Sequence, residues 1–220
     1  MLCTALVIGA CRALLFDLDG LMVDSEPVWF DVQRAFVRER GEIWTPELAS
    51  ACVGGGLVNA IRVMGEAFGF DVDFERDAQT MVDAFIARVD DVSLKPGCRD
   101  LVDAARQRNI PCAVASSSTL RLVEATLARI DLRHQFHAVV SGECVTKPKP
   151  APDIFLEAAN RLRAPPSDCV VLEDSLAGVR AARAARIRVI AVPEGNAERF
   201  EGLADAVVQD LDAARTLLAL

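Results

Sequence analysis

Short unbroken apolar runs alternate with amphipathic stretches along most of this chain. The runs predict strands at 12–17, 111–115, 137–141, 169–172 and 187–192, with a shorter one at 205–208. Between and after them, apolar residues recur with helical spacing at 98–108, 119–130, 152–162, 176–185 and 210–219. Strand–helix alternation with short connections predicts an α/β fold built on a doubly wound parallel sheet, with right-handed crossovers between its strands. The alternation is interrupted once. From Asp24 onward the strand signal vanishes, and 27–40, 46–52, 57–68 and 74–89 read as helices separated by Gly54–Gly56 and Gly69. Pro27 suits a first helical turn and Gly41 a helix end. At Lys95-Pro96-Gly97 the strand–helix pattern resumes. The expected organisation is therefore a core of residues 11–23 and 95–220, an inserted α-helical domain at 24–94, and a leader segment at 1–10.

Composition narrows the class. The chain has 220 residues, enough for a full core, and a net charge of −8 without a basic run. That argues against nucleic-acid and membrane-surface partners. No stretch reaches the 18 or so apolar residues that span a bilayer. Residues 2–16 are largely apolar, but Arg12 interrupts them and no basic stretch precedes them, so a secretory signal is not expected. The seven cysteines show no CxxC or metal-finger spacing, which reads as reduced thiols in a cytoplasmic protein; a monomer is expected. Only Lys95, Lys147 and Lys149 are lysines, so any chemistry that needs an amine has three candidates.

The chemistry gathers where strands end. Leu14-Leu15-Phe16 runs into Asp17-Leu18-Asp19-Gly20; strand 111–115 runs into Ser116-Ser117-Ser118; a loop after 137–141 carries Lys147-Pro148-Lys149; and 169–172 runs into Glu173-Asp174-Ser175. In a parallel sheet these ends lie on one side and face one crevice. Asp17, Asp19 and Asp174 make a hard oxygen set suited to Mg²⁺. A serine at a strand-to-helix turn and a lysine suit phosphate oxygens. Two carboxylates spaced i, i+2 can divide the labour of nucleophile and proton carrier. Ser118 or Thr119 is expected to cap the following helix, and Asp174 is a second candidate cap. His134 and His137 have no partner pattern and read as surface or packed residues. Trp29, Phe30 and Trp44 read as helical-domain core, with Trp29 also a candidate substrate contact.

Taken in order, Asp17-Leu18-Asp19-Gly20 with Asp24-Ser25-Glu26-Pro27, Val114-Ala115-Ser116-Ser117, Lys149-Pro150-Ala151-Pro152-Asp153 and Leu172-Glu173-Asp174-Ser175 resemble the four motifs of the haloacid dehalogenase superfamily. The resemblance extends over nearly the whole chain, and the insert at 24–94 is similar to the small α-helical cap of one subgroup, the sugar-phosphatase and β-phosphoglucomutase-like enzymes. It implies that Asp17 is a nucleophile forming an aspartyl-phosphate and Asp19 the general acid/base. Ser116, Ser117 and Lys149 would hold the phosphate of a small phosphorylated metabolite. Asp17, Asp174, the Asp19 carbonyl and Glu173 acting through water would bind Mg²⁺. Lys149 rather than Lys147 stands directly before the Pro-x-Pro-Asp of the family pattern. Asp24 and Asp153 take structural roles.

Within the superfamily, dehalogenases lack the second acid, so Asp19 favours phosphoryl transfer. Phosphonate hydrolases use a cap lysine, and residues 21–94 contain none. A β-phosphoglucomutase carries a histidine where this chain has Trp29, and cap cations for a second phosphate, for which Arg62 is the available substitute. The expected activity is a Mg²⁺-dependent phosphatase acting on a sugar phosphate or related polyol phosphate, with the mutase as the alternative and a non-catalytic binding module behind it. Specificity is expected to lie around Trp29, Gly54–Gly56 and Arg62.

Overall fold

The computed structural model describes residues 11–52 and 56–220; the leader segment at 1–10 and Gly54-Gly55 lie outside the described residues. The chain divides into two compact units, one of 11–24 with Leu94–Leu220 and one of Ser25–Ser93. In chain order the strands are β1 Ala13–Phe16, β2 Val23–Asp24, β3 Ser93–Leu94, β4 Cys112–Ala115, β5 Ala138–Val140, β6 Cys169–Glu173, β7 Arg188–Ala191 and β8 Ala206–Val207. The helices are α1 Glu26–Arg38, α2 Pro46–Cys52, α3 Gly56–Phe68, α4 Phe74–Ile86, α5 Cys98–Gln107, α6 Leu120–Arg129, α7 Asp153–Arg161, α8 Leu176–Ala184 and α9 Leu211–Leu217.

Six strands form one sheet in the order β5-β4-β1-β6-β7-β8, and every pairing in it is parallel. From the central β1 the chain builds β4 and β5 on one side, then crosses to build β6, β7 and β8 on the other. That reversal is the topological switch point, where open α/β sheets bind ligands beyond the carboxyl ends of the strands. The register fixes what arrives there. Phe16 lies between Val114 of β4 and Leu172 of β6, so Asp17 comes level with Glu173, and Ser116 stands one residue past the end of β4.

Both faces of the sheet are covered, which is why its strands read as continuous apolar runs rather than alternating ones. Ala13, Leu15, Ala113, Ala115, Val171 and Val189 pack with Ile154, Phe155 and Ala158 of α7 and Val179 and Ala182 of α8. The small residues on this face let the two helices sit close. Leu14, Phe16, Val114, Leu172 and Ile190 point the opposite way along the same strands and are fully buried. The apolar stripes of α5, α6 and α9 (Leu101, Leu122, Leu127, Leu211) are also buried.

The second unit is helical. Val32, Phe36, Ile61, Met64, Met81 and Phe85 form its buried interior. Trp29 lies against Phe85 with ring centroids 4.5 Å apart, and Phe30 meets Trp44 edge-on at 5.7 Å. Buried Asp77 is paired with Arg40 at 3.1 Å and Arg76 at 3.2 Å. The stretch read as helix 74–89 is helical only to Ile86; a 3₁₀ turn follows at Val89–Asp91. The two-residue strands β2 and β3, which pair with each other, are too short to carry a periodic signal. Among the described residues no helix is long and apolar enough to cross a membrane.

Candidate active site

Asp17 is the first residue beyond β1, its N–H held by the Leu172 carbonyl at 3.1 Å, and it is 7% exposed. The Lys149 ammonium touches Asp17 Oδ1 directly and donates to Glu173 Oε1 at 2.7 Å. Lys149 stands four residues before α7, and its Nζ lies 4.8 Å from the ring centroid of Phe155 in the first turn of that helix. An ammonium over an aromatic face between two carboxylates is held from three sides. Glu173, the last residue of β6, is wholly buried. Its Oε2 accepts from the Ser175 N–H at 2.7 Å and the Ser175 hydroxyl at 2.9 Å. The Ser175 oxygen in turn accepts the Gly178 N–H at 3.0 Å, capping α8.

A tight turn carries Asp19. The Gly20 N–H donates to the Val23 carbonyl at 2.9 Å and the Met22 N–H to the Leu18 carbonyl at 2.9 Å. Gly20 adopts φ +87°, and a Cβ there would come within 2.2 Å of Asp174 Oδ2; the turn and the third acid share that space. Asp19 Oδ2 accepts from the Ser118 hydroxyl at 2.8 Å and the Ser116 hydroxyl at 3.3 Å. The Ser118 N–H closes onto Ser116 Oγ at 3.1 Å. Ser116 is buried, whereas Ser117 and Lys147 are exposed.

Carboxylate oxygens of Asp17, Glu173 and Asp174 can come within 4.8 Å of one another, a grouping able to hold a metal ion. Burial pushes Asp17 up to about 7; the Lys149 charge opposes this, and the Glu173 and Asp19 charges add to it. Burial, then repulsion from Glu173 and Asp17, raises Asp174 well above the ordinary carboxylate range. For Lys149 burial disfavours the charge, but Asp17 and Glu173 together outweigh it and raise its pKa.

The geometry thus brings Asp17, Lys149, Glu173 and Asp174 into one cluster, with Asp19 and Ser116 bonded beside it. The Asp19 carboxylate bonds to the serines, and the three-acid group does not include it. Two roles differ from the sequence reading. Ser118 binds Asp19 instead of capping α6; Thr119 occupies the cap position without a side-chain bond, and Glu143 Oε2 accepts the Leu120 N–H at 2.7 Å. Ser175, not Asp174, caps α8. Both Glu173 oxygens are engaged by protein donors. Ser175 and Ser118 were absent from the expected site; a serine two residues beyond Glu173, at a helix start, was the available signal for the first. His137 is packed through its ring, Nδ1 accepting the Cys112 N–H at 3.3 Å.

Comparison with known proteins shows the family. The haloacid dehalogenase-like hydrolase profile matches residues 11–186. Escherichia coli hexitol phosphatase B is 32% identical over 203 residues, covering 84% of this chain and 85% of that protein. The Arabidopsis thaliana bifunctional riboflavin kinase/FMN phosphatase is 33% identical over 82% of this chain, which spans only about half (48%) of that protein's length; a second plant relative is spanned to 18%. The crystal structure of CbbY from Rhodobacter sphaeroides in complex with phosphate superposes with a TM-score of 0.86 at 28% identity, over 96% of this chain and all of that one.

Proposed function

The chain belongs to the haloacid dehalogenase-like hydrolases, and from that premise we propose that it is a Mg²⁺-dependent phosphatase of a small phosphomonoester, a sugar or polyol phosphate. The observation that carries the reading is the pair of acids Asp17 and Asp19 with divided surroundings. Asp17 is clamped by an ammonium, while Asp19 is held by two hydroxyls one step away. A hexitol phosphatase among the relatives and a phosphate-bound solved relative support the substrate class.

In the proposed reaction Asp17 Oδ attacks phosphorus in line, and the bond from phosphorus to the ester oxygen breaks. Asp19 gives its proton to that departing oxygen, which leaves as the alcohol. Asp19, now a carboxylate, then takes a proton from a water whose oxygen attacks the aspartyl-phosphate. The bond from phosphorus to Asp17 breaks and both acids return to their starting states. The Ser116 hydroxyl and the Lys149 ammonium hold the non-bridging oxygens through both steps. The residues fit a hard dication: three carboxylates, two of them buried, beside one ammonium leave a formal excess of two negative charges, and Mg²⁺ favours such oxygen donors. Asp17 and Asp174 would hold it, and when bound it neutralises charge on the transferring phosphoryl group. We assign the inserted helical unit the part of a lid that excludes water and selects substrate, and place the protein in the cytoplasm because its cysteines are scattered thiols.

Hydrolysis is favoured over the mutase reading by Arg62. The cation available for a second phosphate is bonded along its own exposed helix face to Glu66 at 2.7 Å and Asn59 at 2.7 Å. The test is phosphate release from a panel of phosphorylated sugars and polyols. Asp17→Asn should abolish turnover with the circular-dichroism spectrum unchanged, and a chelator should do so reversibly. Full activity in either case refutes the corresponding assignment.

A further inference from the structure

We propose that Ser175 is a positioning residue for this reaction, aiming the Glu173 carboxylate at the Lys149 ammonium. The kinetic consequence rests on the phosphatase reading; the positioning itself does not. A serine serving only as a helix cap needs its oxygen and nothing else. Here the oxygen accepts the Gly178 N–H at 3.0 Å, and the hydroxyl proton is also donated to Glu173 Oε2 at 2.9 Å. The Ser175 backbone N–H reaches the same Oε2 at 2.7 Å. Gripped by two donors, that oxygen cannot rotate away, and its twin Oε1 is left facing Lys149 Nζ at 2.7 Å.

The arrangement gives Glu173 a part beside its place in the three-acid grouping. It is wholly buried, and its two oxygens already take three protein donors. It is therefore the second anchor of the ammonium, sharing Lys149 with Asp17. Without the grip on Oε2 the carboxyl can swing off. The ammonium then has Asp17 as its one close carboxylate, and it is drawn out of the position from which it can meet a phosphate oxygen. The start of α8 is thus wired through Ser175 and Glu173 to Lys149, in an unbroken line of donors and acceptors.

The scarcity of lysine makes this directly observable. In ¹⁵N-lysine-labelled full-length protein only Lys95, Lys147 and Lys149 contribute ammonium signals. The Lys149 side chain is 5% exposed and bonded to two carboxylates, so its signal is the slowly exchanging one. Ser175→Ala should speed Lys149 proton exchange by at least about tenfold and move its shift, leaving the Lys95 and Lys147 signals in place. It should also raise the inhibition constant of inorganic phosphate by about tenfold, the loss expected when a hydrogen bond to a charged group is removed. Ser175→Thr, which keeps the hydroxyl, should restore both. Should Ser175→Ala fail to fold, Ser175→Cys, with a weaker donor and acceptor of similar size, carries the same prediction in reduced degree. A variant that melts earlier but keeps the wild-type Lys149 signal and phosphate inhibition overturns the proposal and leaves Ser175 a helix cap. If the Lys149 signal responds while the wild-type protein hydrolyses no phosphomonoester, the positioning stands and the phosphatase reading fails.

Discussion

Gly178→Ala should destabilise this protein, although helix propensity alone says the reverse. Gly178 lies in the first turn of α8, where alanine ordinarily gains about 0.5–1 kcal/mol over glycine. A Cβ at this position would lie 1.6 Å from Glu173 Oε1, 1.9 Å from its Cδ and 2.6 Å from Oε2. No carbon and oxygen coexist at such distances, so the carboxyl must move by more than an ångström. It is held by Lys149 and twice by Ser175, and moving it breaks those bonds around a wholly buried carboxylate. Breaking a buried ion pair costs about 3–5 kcal/mol, leaving a net loss of roughly 3 kcal/mol after the propensity gain. For a chain of this length that corresponds to a fall of about 6–12 °C in melting temperature.

Urea denaturation with an unchanged m-value gives the stability, and phosphate release gives the activity, which should fall with it. The double-mutant cycle is more exacting. With Glu173→Ala in place the obstacle is gone, so adding Gly178→Ala should then be neutral or stabilising by about 0.5–1 kcal/mol. Equal cost in both backgrounds would show that the missing side chain at 178 makes room for something other than Glu173, and the reasoning would fall.

Metal binding should depend on pH with a definite sign. Asp17 is raised to about 7 and Asp174 is raised with it. Their contribution to stability in metal-free protein is therefore complete below the ordinary carboxylate range and lost as pH rises through about 7. The rise in melting temperature on adding Mg²⁺ should be larger at pH 8 than at pH 5; an equal or smaller rise contradicts the assignment. Asp19→Asn should separate the two half-reactions. With an aryl phosphate, whose leaving group needs no proton, it should release about one equivalent of phenol per chain and then turn over about 10²–10⁴-fold slower than wild type. Full steady-state turnover would remove Asp19 from the mechanism.

What could be read in advance follows from where the information resides. Strands buried on both faces advertise themselves as apolar runs. Polar residues at their ends therefore stood out, and β1, β4 and β6 with Asp17, Ser116 and Glu173 were legible from spacing alone. Boundaries set by tertiary contacts were less so: α4 stops at Ile86 and β2 pairs with β3, neither written in a local period. The division of hydroxyls was hidden most deeply. Three consecutive serines look equivalent, yet Ser116 and Ser118 turn toward Asp19 while Ser117 faces solvent. The choice depends on how the loop leaves β4. Glu143, which takes over the capping of α6, is 23 residues from its partner, too far for any local signature.

The charge balance of the cluster is itself evidence about purpose. Nothing in the packing of the sheet requires acids at these places: β1 is complete at Phe16, and Glu173, which ends β6, takes its place in the sheet through its backbone, paired with Ala191. Replacing a buried ion cluster by apolar residues of similar volume is often neutral or stabilising. Here burial, and then repulsion from neighbouring carboxylates, raises Asp17 and Asp174, with one ammonium set against three carboxylates. A site shaped for stability would carry balanced charges or no charge at all. Where the acids are ionised, the strain is relieved by positive charge at the Asp17 and Asp174 oxygens, and Lys149 does not supply it alone, because Ser175 and Glu173 hold its ammonium in place. The arrangement that is poor for the isolated chain is therefore suited to a ligand pair of opposite charges: a dication among the acids, and a phosphoryl group that the dication and Lys149 draw onto Asp17.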